Sequence, residues 1–149
     1  MRAHEASWDA ALAPLVGQKL AELAPLATRV ERARATLAHP PEDACAWVAE
    51  RDGVILGMAL ASEAELRDLY VVPAAWGTGV GAELMGTALE WIAARGAREA
   101  TLWVGQENLR ARRFYEREGW VVDGERLDDS FPGASVHETR YRLSGLRRR

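Results

Sequence analysis

The sequence predicts one α/β domain built on a mixed sheet, and three observations carry that expectation. Apolar runs of strand period and of helix period alternate along the chain in the order helices, hairpin, strand, helix, strand, helix, strands. At 149 residues the chain has the size of one domain, and no repeat, low-complexity tract or linker divides residues 1–149. An apolar share of 48% and a charged share of 28% match a chain that buries a single core.

Residues 6–24 and 28–38 are rich in Ala, Leu, Glu and Arg. With Ser7 or Asp9 as a cap and Pro25 and Pro40 as breakers, they read as two helices. AWVAERDGVILGMAL (46–60) is two β-rich runs around Asp52-Gly53, a dipeptide suited to the positive φ angles of a tight hairpin. AELRDLYVV (64–72) reads as a third strand, and Pro73, lacking an N–H, closes it. Val80, Leu84, Ala88, Trp91 and Ile92 fall on one face of a helix that runs to Arg95 and ends at Gly96. ATLWV (100–104) is a short buried strand, and NLRARRFYERE (108–118) is a helix capped by Asn108 and ended by Gly119. WVVDG (120–124) and SVHETRYRL (135–143) complete the strands. Their strand and helix positions assign Trp47, Trp91 and Trp103 to the core, while Trp76 stands apart in a loop.

Charge and cysteine content exclude several classes of function. A net charge of −3 gives no reason to expect a nucleic-acid partner, and Arg147-Arg148-Arg149 reads as the solvated end of a tail over 144–149. The single Cys45 cannot form an internal disulfide and has no companion thiol for a structural metal site. It fits a reducing, cytoplasmic setting. As a nucleophile it would need His4, His39 or His137 brought to it by folding; a small buried residue at a strand start is the plainer reading. No apolar run approaches the roughly 20 residues that cross a bilayer, and the N-terminus lacks an export signature, so neither a membrane nor a metal is expected as a partner.

The most informative stretch is VVPAAWGTGVGAELM (71–85), where Gly77, Gly79 and Gly81 separate a strand from a helix. The first turn of a helix has unpaired N–H groups and a partial positive charge, and removing Cβ atoms lets phosphate oxygens reach them. The same glycines could serve only a tight turn or close helix–sheet packing. A nucleoside-triphosphate loop would need Gly-Lys-Ser or Gly-Lys-Thr, and the region has no Lys. GTGVGA (77–82) does fit the dinucleotide pattern Gly-x-Gly-x-x-Gly/Ala. That pattern should follow directly from the first strand of a parallel sheet, whereas here a hairpin comes first and four residues intervene.

The run LYVVPAAWGTGVGAELM (69–85) resembles motif A of the GNAT superfamily of acetyl-CoA-dependent N-acetyltransferases, Arg/Gln-x-x-Gly-x-Gly/Ala after a strand. Trp76 stands where that motif has Arg or Gln. ENLRARRFYEREGW (107–120) is similar to motif B, with Asn108, Ala111, Phe114, Tyr115 and Gly119 at the family's spacing. The resemblance runs from about Trp47 to Trp120 and weakens toward Leu143.

The resemblance implies a single-domain GNAT fold: a mostly antiparallel sheet with a splayed parallel pair, here 64–72 and 100–104, flanked by helices. The family's opening strand has little room in MRAHEASWDAALAPL, so it is expected to be missing or short. Acetyl-CoA is the implied cofactor, a small-molecule or peptide primary amine the implied acceptor, and a homodimer a common assembly. By the same resemblance, backbone groups of Leu69, Val71 and Val72 hold the pantetheine arm, with the Leu69 N–H aimed at the thioester carbonyl. The amides of Gly77, Thr78, Gly79, Val80, Gly81 and Ala82, beside Trp76, hold pyrophosphate. Asn108 and Phe114 line the arm, and Tyr115 supplies the proton to the departing thiolate.

For the base, the resemblance matches Glu65, by its spacing to the glycines, to the strand glutamate that takes the amine proton in some family members; Asp68 is second, Glu138 third, and a water chain is an alternative. Strand alternation sets Glu65 on the face opposite Asp68 and Tyr70. Glu63, Glu65 and Asp68 would suit a cationic amine. Two other readings stay open at this stage, a non-catalytic acyl-CoA-binding or regulatory module and, more distantly, a dinucleotide-dependent oxidoreductase.

Overall fold

Asp52 and Gly53 take φ values of 52° and 79°, closing a two-residue turn between β1 (Ala44–Arg51) and β2 (Val54–Ser62) with Arg51 opposite Val54. The computed structural model describes Ala38 and residues 43–129 and 135–147. Apart from Ala38, which is helical, the helices expected over 6–24 and 28–38, and the question of an opening strand, lie outside the described residues.

β3 (Glu65–Val71) pairs antiparallel with β2, and Val72 adds one more bond, its N–H donating to Leu56 O at 2.9 Å. Pro73 then ends the ladder in a single 3-10 turn over Pro73–Ala75. After the glycine loop come α1 (Val80–Ala94), β4 (Glu99–Gly105), α2 (Leu109–Arg117), β5 (Val121–Asp128) and β6 (Val136–Ser144). The sheet order is β1-β2-β3-β4-β6-β5, antiparallel except between β3 and β4. That parallel pair needs a crossover, which α1 supplies. The mixed, mostly antiparallel sheet with one parallel pair agrees with the expected fold class.

The core lies on the face that α1 covers. Met85, Ala88 and Ile92 pack with Ala61, Leu66, Ala100 and Leu102, while Val80 and Leu84 pack with Ala59 and Ala75. Because β4 turns Leu102 and Val104 into this core, Trp103 between them must point to the other face. This corrects its assignment to the core. Trp47 and Trp91 are half-buried and meet edge-on at 6.1 Å on the core's border; the deeply buried tryptophan is Trp120, 2% exposed. Cys45 is half-buried on β1, separated from His137 on β6 by β2, β3 and β4, about 4.8 Å per strand step. His4 and His39 lie outside the described residues.

Candidate active site

The glycine loop is built by backbone conformations that side chains resist. Gly77 and Gly79 have φ of 76° and 90°, the left-handed region that glycine enters without steric cost. Gly79 caps α1, its carbonyl taking the Glu83 N–H at 3.0 Å, which leaves the N–H groups of Val80, Gly81 and Ala82 with no acceptor inside the helix. Gly81 has no strained φ. A Cβ there would stand 3.6 Å from both Phe114 Cζ and Val71 Cγ2, filling the space between loop and α2. Thr78 is turned away from this role, since both its N–H (3.3 Å) and its hydroxyl (2.5 Å) donate to Ala75 O. Val80 commits its side chain to the core, so only its backbone can serve a ligand.

A cleft of about 640 Å³ opens where β3 and β4 part. The two strands pair only at Glu65 and Thr101, with the Thr101 N–H on Ala64 O at 3.0 Å. Since the Val72 N–H points to β2, antiparallel alternation turns those of Leu69 and Val71 the other way, toward β4 and the cleft. Leu69 and Val71 line the cleft; Val72 does not.

A β-bulge sets both carboxylates of β3 on one face, and their position along the strand then decides which reaches the gap, since Glu65 sits at the closed end where β3 pairs with β4. Leu60 faces Asp68 and Ala61 faces Leu66, so Arg67 is an extra residue in β3. Leu60 and Ser62 share a face of β2, and so their partners Asp68 and Glu65 share a face of β3. The expected opposition of Glu65 to Asp68 is therefore corrected: alternation is interrupted once. Glu65 pairs with Arg67 at 3.0 Å and stays out of the cleft wall, whereas Asp68 and Glu138 line it. Glu63 is exposed in the β2–β3 turn.

Asp68 accepts a hydrogen bond from the Tyr70 hydroxyl at 3.3 Å. Burial raises its carboxyl above the ordinary range, an effect that Tyr70 and Arg67 only partly oppose. Glu138 is also raised, by burial first, against the pull of Arg126 at 2.8 Å. Opposite them, α2 brings Asn108, Ala111, Phe114 and Tyr115 to the cleft. Asn108 Oδ1 accepts the Ala111 N–H at 3.3 Å and starts the helix; Arg112 fastens it to the sheet by donating to Tyr141 Oη (3.0 Å) and Gln106 O (2.8 Å). Tyr115 lies among the rings of Phe114, Trp120 and Tyr141. Burial, and after it the negative charge of Asp68, holds its phenol well above the usual tyrosine value.

The lining draws on both faces of the sheet: Leu66 and Val104 from the core side, Asp68, Trp103 and Glu138 from the other. The cleft thus passes through the sheet, with the glycine loop and α2 at one mouth and the carboxylates and Trp103 at the other. Trp103, expected in the core, and Arg110 are lining residues that the sequence did not mark as part of a site. Trp103 follows from alternation once Leu102 and Val104 are known to be core, whereas Arg110 has no local signal. Among the described residues no group of three or more His, Cys, Asp or Glu could hold a metal ion, and no helix is long and apolar enough to cross a membrane.

Comparison with known proteins points one way. The model of the family described as acetyltransferase (GNAT) matches residues 14–120. An uncharacterized N-acetyltransferase of Mycobacterium bovis is 38% identical over 98 residues, 62% of this chain and 61% of that protein. Against its curated relatives the chain spans between 25% and 61% of their length. A GCN5-related N-acetyltransferase from Rhodopseudomonas palustris has a TM-score of 0.75 at 22% identity, over 96% of this chain and 86% of that one. The PaiA N-acetyltransferase from Thermoplasma acidophilum, solved in complex with coenzyme A, has a TM-score of 0.73 at 18% identity, over 96% and 89%.

Proposed function

The chain belongs to the acetyltransferase (GNAT) family, and from that premise we propose that it transfers an acetyl group from acetyl-CoA to a primary amine by direct attack, both substrates held at once. The observation that carries this reading is the gap between β3 and β4, which gathers the glycine loop, the Leu69 N–H, Asp68 and Tyr115 along one cleft. The crystallised relative that holds coenzyme A supports the choice of cofactor. When bound, acetyl-CoA supplies an acetyl group already activated as a thioester.

The chain's residues then divide the work. The amides of Val80, Gly81 and Ala82, at the positive end of α1, suit a pyrophosphate. The Leu69 N–H is a fixed donor for the oxygen on which charge develops. Asp68, raised by burial, is a stronger base than an ordinary carboxylate and suits removal of a proton from an incoming ammonium. Tyr115 serves as a donor that keeps its proton: its phenol lies above the ~8.5 of a thiol, so it hydrogen-bonds a departing thiolate and lends a proton only as another returns to it. Asp68 and Glu138 face the amine's mouth of the cleft. Glu65 is paired with Arg67 and Glu138 with Arg126, so the acceptor's ammonium meets Asp68 first.

Calorimetric titration with acetyl-CoA, coenzyme A and NAD tests the cofactor, and thiol release across a panel of amines tests the transfer. Binding of the first two ligands without NAD, and release with at least one amine, is expected. Binding of NAD alone, or of nothing, overturns the reading; coenzyme binding with no turnover replaces it with an acyl-CoA-binding module. In the active enzyme Tyr115→Phe should lower kcat by roughly 10²–10⁴-fold with the affinity for coenzyme A nearly unchanged.

A further inference from the structure

The loop position that carries Arg or Gln in the motif of the family is Trp76 here, which leaves the phosphate end of the cleft without a loop cation. The structure places a cation there from elsewhere. The Arg110 guanidinium lies over the Trp76 ring, 3.2 Å from its centroid, and both residues line the cleft beside Gly77 and Gly79. Trp76 is itself held, its indole N–H donating to Val71 O at 2.9 Å. An aromatic face orients a guanidinium without cancelling its charge. No carboxylate pairs with Arg110 among the described residues, so a full positive charge is presented to the cleft.

Arg110 is also badly placed for helix stability. It is the second residue of α2, whose first turn holds no acidic side chain, and a cation there opposes the helix dipole. Partial burial adds to the burden, lowering its pKa. A residue kept where it harms its own helix, stacked on an aromatic side chain and left without a counter-ion, suits an anion that arrives with the ligand.

We propose that Arg110, clamped on Trp76, is a phosphate-binding residue for the coenzyme, and that the pair moves to α2 the charge that the Arg form of the family motif carries in the loop. This rests on the acetyl-CoA reading above. Two phosphate groups of coenzyme A offer the same chemistry, the pyrophosphate and the 3′-phosphate, and dephospho-coenzyme A separates them.

The test is calorimetric binding of coenzyme A and dephospho-coenzyme A to wild type, Arg110→Ala, Arg110→Gln and the double variant Trp76→Arg/Arg110→Ala, with thermal midpoints recorded in parallel. Both single variants should bind coenzyme A roughly ten- to hundredfold more weakly, the size of a lost charge-assisted contact. The thermal midpoint of Arg110→Ala should stay level or rise, since alanine relieves the helix end. Returning a cation to the loop in the double variant should recover most of the affinity. An equal loss with dephospho-coenzyme A assigns the contact to pyrophosphate; a loss confined to coenzyme A assigns it to the 3′-phosphate. If the single variants bind like wild type, or lose affinity only in step with a lower midpoint, the phosphate role is wrong. If the double variant recovers nothing, the relocation is wrong. Failure of wild type to bind either ligand overturns this inference together with the function it rests on.

Discussion

Asp68 shows how one residue can trade stability for chemistry. Its carboxyl is raised by burial, so folding makes it harder to ionise. A carboxyl raised in the folded state favours folding fully only below its unfolded pKa of ~3.9, and that contribution is lost as pH rises through the raised folded value. At neutral pH the native protein therefore bears the whole cost of the buried charge. Asp68→Asn should raise the thermal midpoint at pH 7, with the difference closing as the pH falls toward ~4 and below. The same change should lower kcat about 10²-fold or more and remove the acid limb of the pH–rate profile. A variant less stable than wild type at pH 7 would show that the carboxylate holds the fold together instead. The identity of Asp68 was visible in the sequence; its claim over Glu65 was not, because it depends on where β3 and β4 part, just beyond the pair of Glu65 with Thr101, and on the ion pair that holds Glu65 to Arg67.

At the scale of elements, local patterns were legible and contacts between elements were not. The Asp52-Gly53 hairpin, the ends of α1 and α2 and the Asn108 cap follow from short-range chemistry, and each appears within a few residues of its expected place. The fit of α1 against β2 depends on Gly57, which no local rule marks. A Cβ there would meet Tyr70 O at 2.5 Å and Leu84 Cδ1 at 2.9 Å. Gly57→Ala should therefore cost about 1–3 kcal/mol in urea unfolding, since the neighbouring backbone must move. Gly86 is the control, because inside α1 its Cβ would meet nothing within 4 Å. Gly86→Ala should gain about 0.5–1 kcal/mol from helix propensity alone. Equal effects at both sites would refute the close approach of helix and strand.

At the scale of the whole molecule, the cleft exists because two strands held together at Glu65 and Thr101 then diverge, and the sheet beyond them is braced separately. On β4, β5 and β6 an exposed ion-pair chain links Glu99, Arg142, Asp123 and Arg140, with Arg140 Nε 2.7 Å from Asp123 Oδ1. A ligand that bridges the gap should join the two halves of the sheet. Acetyl-CoA at a hundred times its Kd should add about 2.7 kcal/mol of stability, roughly 5–10 °C in thermal midpoint, and NAD at the same concentration should add none. No shift with acetyl-CoA at saturation would contradict a preformed site. What the linear order of residues settled is everything that depends on near neighbours: the periodicities, the turns, the caps and the glycine loop, and through two spaced motifs the family. Which side chains meet across the gap belongs to the tertiary structure alone. Asp68, Glu138, Tyr115, Trp76 and Arg110 come from β3, β6, α2 and the loop between β3 and α1, and only strand order, one bulge and the crossing of a helix over a sheet bring them to one cleft.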